Sequence, residues 1–159
     1  MSRISIAAAV FSDVFERSAN FENIEDRLAD HRIIYLLKEL GVSCGEYAFR
    51  WNKGPYSQAL QNVLVSDNIG APNWVQFSEP GRAALDKVKE MFQEDHAGYS
   101  DREWLDVLSS ILFLRKHSLK GSGDIILDLE ARKSYLDKHE LNQKASEALD
   151  RYFNPDDPL

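Results

Sequence analysis

Residues 25–64 read EDRLADHRIIYLLKELGVSCGEYAFRWNKGPYSQALQNVL. Apolar residues recur at helical spacing from about Glu22 onward, and Gly41 readily takes the left-handed conformation in which helices end, so a helix is predicted between them. Ile24, Leu28 and Tyr35 share one face. Ile33 to Leu37 are apolar on every side, which predicts a helix buried all round and central to the fold. Beyond it Tyr47, Phe49 and Trp51 alternate with Ala48 and Arg50, the pattern of a short extended arm with an aromatic face. Asn52, Lys53, Gly54 and Pro55 then turn the chain, because Gly tolerates positive φ and Pro fixes its own. Ser57 is placed to cap a further helix, which buries Leu60, Val63 and Leu64 and shows Gln58, Gln61 and Asn62 outward.

Working outward, Ile4, Ala7, Ala8, Phe11, Val14 and Phe15 follow three-four spacing and predict an amphipathic N-terminal helix. After a loop through Gly70, Ala71 and Pro72, Trp74, Val75 and Phe77 read as a brief extended segment able to pair with the Tyr47–Trp51 arm. Ser78 caps a helix through Phe92, with Pro80 tolerated in its first turn. Charged residues and Gly98 interrupt the pattern between Glu94 and Tyr99. Ser100 to Glu103 matches a capping box, and the helix it opens carries Trp104, Leu108, Ile111, Leu112 and Arg115 on one face. A link at 117–123 leads to a shorter helix holding Ile126, Leu129 and Leu136. Asp137 and Glu140 suggest a second capping box, before a last helix lined by Leu141, Ala145, Ala148, Leu149 and Tyr152. The expected architecture is mainly α: a winged-helix-like helix-turn-helix core over 1–95 with a short two-stranded ribbon, C-terminal helices over 96–153 packed on it, and a disordered tail over 154–159.

At 159 residues and 43% apolar content the chain has enough material for an ordinary core. Its single cysteine, Cys44, allows no internal disulfide, and no start resembling a signal peptide precedes the first helix; a reducing cytoplasm is the expected compartment. Apolar runs are too short to span a bilayer. The formal net charge is −7, which argues against a protein that coats nucleic acid, since phosphate contacts supply most of such affinity. Charge is segregated, however. Arg17, Arg27, Arg32, Lys38, Arg50 and Lys53 all fall in the first third, so a basic face on an acidic protein is compatible with the composition.

Candidate chemistry is sparse. His31 lies on the Ile24, Leu28, Tyr35 face with no second ligand at i+4, which suits a hydrogen-bonded structural histidine better than a metal site. Asp124, Asp128 and Glu130 in GDIILDLEARK have some of the residue types of a metal-dependent nuclease, but Glu130 is followed by Ala131 and Arg132 where Glu-x-Lys is wanted, and the segment reads as helix. Gly-rich phosphate loops, nucleophile elbows and paired zinc ligands do not occur. No catalytic, cofactor-binding or metal-binding residue is assigned. Gln58, Gln61 and Asn62 could read adenine in a major groove, yet their helix has no Lys or Arg, leaving Arg50, Lys53 or Arg82 to supply phosphate contacts.

Arg27, Leu28, Ile34, Tyr35, Leu36, Leu37 and Gly41, followed by Phe49, Trp51, Gly54, Pro55, Tyr56, Ser57 and Leu60, form a pattern that resembles the YwgA-like proteins of bacteria and archaea and, more distantly, the Panacea domain of SocA-like antitoxins. The likeness covers about a quarter of the chain. The family commonly has Gln-Lys where this chain has His31 and Arg32, which points to those two as a possible functional surface; Tyr56 stands where the Panacea group tends to have Val. The resemblance implies a helical, winged-helix-like domain without known catalytic activity, used in toxin neutralisation, gene regulation or phage defence, with Tyr35, Gly54 and Pro55 as structural residues. The expected function is a non-enzymatic cytoplasmic interaction module, antitoxin-like or a regulatory adaptor, that binds a protein partner through Arg50, Lys53, Tyr56, Gln58, Gln61 and Asn62. A homodimer is compatible with this. The alternatives are a winged-helix DNA-binding regulator and, behind it, a metal-dependent nuclease.

Overall fold

The computed structural model describes residues 3–66, 75–117 and 123–153. Among them the chain forms α1 (Arg3–Phe15), α2 (Ile24–Glu39), β1 (Arg50–Trp51), β2 (Pro55–Tyr56), α3 (Gln58–Leu64), α4 (Glu79–Gln93), α5 (Asp101–His117), α6 (Ile125–Arg132) and α7 (His139–Tyr152). It is a mainly helical protein with one small antiparallel ribbon. No helix among the described residues is long and apolar enough to cross a membrane.

The helix ends follow local chemistry. Asn23, not Glu22, opens α2, its side chain accepting from the Glu25 N–H at 2.9 Å. At the other end Gly41, with φ +90°, lets its own N–H reach the Lys38 carbonyl and the Val42 N–H reach Leu37, satisfying two carbonyls that the helix leaves open. Ser57 caps α3 and Ser78 caps α4. Ser100 and Glu103 form the expected reciprocal pair at the start of α5. The second expected capping box is not formed: α7 starts at His139 with no side-chain cap from its N-cap residue, Lys138. Instead the Tyr99 hydroxyl, buried from the loop before α5, accepts from the Lys138 N–H and donates to Asn142. Leu136 belongs to no helix; it is fully buried in the link between α6 and α7.

The ribbon differs from the expected one. Trp51 pairs with Pro55 and Arg50 with Tyr56, so the strands flank the turn itself, and the pairing does not reach 75–77, which are not strand; Trp74 lies outside the described residues. Lys53 (φ +58°) and Gly54 (φ +115°) reverse the chain within three residues, and the Asn52 N–H closes onto the Gly54 carbonyl at 2.9 Å. A local hairpin closes at much lower entropic cost than a pairing across more than twenty residues. The ribbon therefore precedes α3.

Burial on α2 runs unbroken from Ala29 to Leu37 apart from Arg32, as the sequence predicts, but α2 is not alone at the centre. Every residue of α5 from Trp104 to Leu114 is buried, where a single buried face was expected. The two helices pack along each other more extensively than any other pair. Around them α1 supplies Ala7, Ala8, Val10 and Phe11, whose small alanines permit close approach, and α4, α6 and α7 cover the remaining faces. One apolar cluster runs from Ala7 to Phe153, so residues on both sides of position 95 share a core.

Asp30 is an exception inside that core. It is 0% exposed, and neither carboxylate oxygen has a hydrogen-bond partner. Burial, and then the charge of Asp26, hold its carboxyl well above the usual range. An unfolded chain releases this proton near pH 3.9, whereas the folded chain keeps it, so stability falls as pH rises from there toward the folded value. Asp30→Asn is therefore expected to be more stable than the parent at pH 7, with the advantage shrinking toward pH 4. Urea unfolding at both pH values checks this, and a difference that does not vary with pH would contradict it.

Candidate functional site

The Gly54–Pro55 turn is held from two sides. On one, α2 presents His31, which is 0% exposed, against the ribbon and α3. Its ring stacks on Tyr56, with centroids 4.6 Å apart and planes at 14°. Nδ1 accepts from the Ser57 backbone N–H at 3.3 Å, which leaves the ring proton on Nε2, donated to Gln61 Oε1 at 3.2 Å. The neutral ring thus ties α2 to the residue that caps α3 and to the middle of α3. Burial lowers its pKa to about 4, with the charges of Arg32 and Arg27 adding to the shift and the Gln61 hydrogen bond opposing it.

On the other side lies a buried polar cluster. Asp106 of α5 is 3% exposed and Lys133, at the end of α6, likewise 3%. Lys133 Nζ stands 2.9 Å from Asp106 Oδ1 and 3.0 Å from Oδ2, donates to the Lys53 carbonyl at 2.7 Å, and meets the Tyr135 hydroxyl at 2.9 Å. Ser110 donates to Asp106 Oδ1 at 3.0 Å and Tyr135 to Oδ2 at 2.7 Å. Arg32 approaches Oδ2 at 3.4 Å. Burial lowers the Lys133 pKa, Asp106 opposes the shift, and the charges of Arg32 and Lys53 lower it further. Burial, followed by the Asp106 charge, raises that of the Tyr135 phenol. Gly54 rests over this cluster; a Cβ there would meet Ser110, Asp106 and Lys133 at 3.5–3.6 Å, ordinary contact, so its φ is what calls for glycine.

The predicted site residues are distributed unevenly over this frame. Arg50 and Lys53 are exposed on β1 and on the turn, and Lys53 meets the cluster through its carbonyl. Tyr56 is half-buried on His31. Gln61 is half-buried and engaged with His31, while Gln58 and Asn62 are exposed and bonded to each other at 2.9 Å. His31 faces inward, and Arg32, beside it on α2, reaches Asp106. Arg50 shares the ribbon face of Tyr56; Trp51 lies on the opposite face, half-buried, with the Arg132 and Lys133 cations 5.8 and 5.9 Å from its ring.

Asp106, Ser110, Lys133 and Tyr135 were not singled out from the sequence. A signal existed for the first two, since Asp106 and Ser110 stand four residues apart in a helical run that, Ser109 aside, is apolar at every remaining position from Trp104 to Leu114. Lys133 and Tyr135 carry none, because nothing local marks a lysine as buried. The acidic residues of 124–130 have structural engagements: Asp124 caps α6, and Glu130 accepts from His139 and Asn142 at 2.9 and 2.8 Å. No three His, Cys, Asp or Glu residues among those described are grouped to hold a metal ion. Comparison with known proteins found no family model, curated protein or solved structure that matches the chain.

Both clamps make testable claims. Because His31 stays neutral when folded but takes a proton near pH 6.5 when unfolded, the stability it contributes is complete above that pH and falls as pH drops toward 4. That contribution is expected to change by roughly 3 kcal/mol; in denaturant titrations across this range the stability of the parent relative to His31→Asn should fall as pH drops, the opposing Asp30 slope being common to both chains. Lys133→Met leaves Asp106 as a buried charge without its main counter-ion and should cost about 3–5 kcal/mol. Adding Asp106→Asn should recover part of that loss, and strictly additive costs in the double-mutant cycle would show that the pair is not coupled.

Proposed function

We propose that this chain is a non-enzymatic interaction module, antitoxin-like or a regulatory adaptor, that binds a protein partner through the surface around the Gly54–Pro55 turn. The observation that carries this reading is how the amide side chains are used. Base readout needs free Gln or Asn groups on α3. Gln61 is bonded to His31, and Gln58 and Asn62 to each other. The helix is seven residues long and carries no cation to fix it on a phosphate backbone. Lys53 and Arg50, by contrast, are exposed beside the half-buried rings of Trp51 and Tyr56, a mixture of cation and aromatic edge that suits a protein interface.

A winged-helix-like description of residues 3–93 is supported by the order of α2, α3 and α4. The ribbon's place ahead of α3 weighs against a wing that follows the recognition helix and contacts DNA. The turn is also preorganised: its backbone is tied to α2 through His31 and to α5 through Lys133 and Asp106, so little ordering entropy is lost on binding.

The test is site-specific cross-linking in the native host cell. A photoreactive side chain at position 58 is expected to capture a discrete protein that the same group at position 147, on α7, does not, and Lys53→Glu should abolish the capture. The competing DNA reading wins if position 58 captures no protein and the purified chain binds its own promoter with an affinity that falls steeply with salt and depends on Arg50 and Lys53.

A further inference from the structure

Arg32 holds a full positive charge on a side chain that is 11% exposed, and Asp106 is the acid it approaches, at 3.4 Å. A guanidinium so far from water ordinarily sits in a two-bond fork with a carboxylate or phosphate, at about 2.8 Å. Arg32 makes no hydrogen bond of that kind among the described residues, and the reason lies at Asp106. Oδ1 takes Lys133 and Ser110, and Oδ2 takes Lys133 and Tyr135. The carboxylate is saturated by closer donors, leaving Arg32 at its edge.

The charge around the turn is also unbalanced. Arg32, Lys53 and Lys133 bring three positive charges to a cluster whose central acid is Asp106, on a chain whose net charge is −7. The Tyr135 side chain bonds the same carboxylate oxygen that Arg32 approaches, yet Tyr135 is 56% exposed, so its ring extends from the buried cluster to the surface.

We propose that Arg32, which shares Asp106 Oδ2 with the Tyr135 hydroxyl, receives a carboxylate from an acidic segment of the protein partner; this rests on the protein-binding reading above. The incoming group supplies the fork that Asp106 cannot. A planar monoanion fits the place better than a nucleic-acid backbone. No row of cations on α3 continues the site as a phosphate track would require.

The experiment is a fluorescence-anisotropy titration of the full chain with a labelled peptide of alternating Glu and Asp, run beside a labelled DNA duplex of mixed sequence. Saturable peptide binding is expected, weakened about tenfold by Arg32→Gln, the loss of one charge-assisted contact. Lys53→Gln, on the exposed turn where folding is not at stake, should weaken it severalfold. Lys87→Gln, on the exposed side of α4, should not change it. No binding by the parent, or equal binding by all variants, overturns the site; so does a duplex bound more tightly than the peptide and lost in the same two variants. The outcomes separate the two proposals. A cross-link from position 58 that survives Arg32→Gln, together with equal peptide binding throughout, removes the acidic-segment inference and leaves the protein-binding reading. A peptide site that behaves as expected without any protein cross-link removes that reading alone.

Discussion

A single buried carboxylate, Asp106, joins segments of chain that lie far apart in sequence. It stands on α5, takes the Lys133 ammonium and the Tyr135 hydroxyl from beyond α6, draws in Arg32 from α2, and through Lys133 reaches the backbone of the turn at Lys53. Removing ions from water costs several kcal/mol each, and the cost is offset only where geometry and hydrogen bonding are satisfied together. The Lys133 ammonium satisfies it with contacts to Asp106, the Lys53 carbonyl and Tyr135. Separating α5 from the segment after α6 would leave Asp106 and Lys133 as buried charges without each other. The cluster thus joins α2, α5, the segment after α6 and the turn through one set of charge and hydrogen-bond contacts.

His31 complements the cluster from the opposite side of the turn. It contributes no charge, and it has to be neutral to accept from Ser57 while donating to Gln61. Between the two clamps the Gly54–Pro55 backbone has little freedom, and the exposed side chains around it are carried on a rigid frame. Rigid presentation of Lys53, Arg50 and the edge of Trp51 separates this region from an ordinary surface loop, and it underlies the functional reading.

Much of the fold was legible because its signals are local. Asn, Ser and Gly at helix ends act through atoms two to five residues away, which is why Ser57, Ser78, Ser100 and Gly41 do what their positions suggest. The buried centre of α2 was readable from five apolar residues in a row. The failures are equally specific. Asp137 looks like a cap, yet the acceptor at the start of α7 is Tyr99, roughly forty residues earlier, a distance over which no local pattern carries information. The ribbon was expected between distant segments and forms locally, because Lys53 adopts the positive φ that the sequence pointed to at Gly54 alone.

The candidate site divides along the same line. By itself the sequence determined that a Gly-Pro turn follows a buried helix, that a serine caps the next helix, and that Arg17, Arg27, Arg32, Lys38, Arg50 and Lys53 fall in the first third of an acidic chain. Periodicity, capping and composition are properties of neighbouring residues, so these features needed no knowledge of the fold. Only the tertiary structure decided that His31 faces inward, that Gln61 holds it, and that Asp106 and Lys133 form the floor beneath Gly54. Those facts depend on which side chains meet once α2, α5 and the link after α6 are packed together. Burial and charge pairing are set by that packing, and no residue carries them alone.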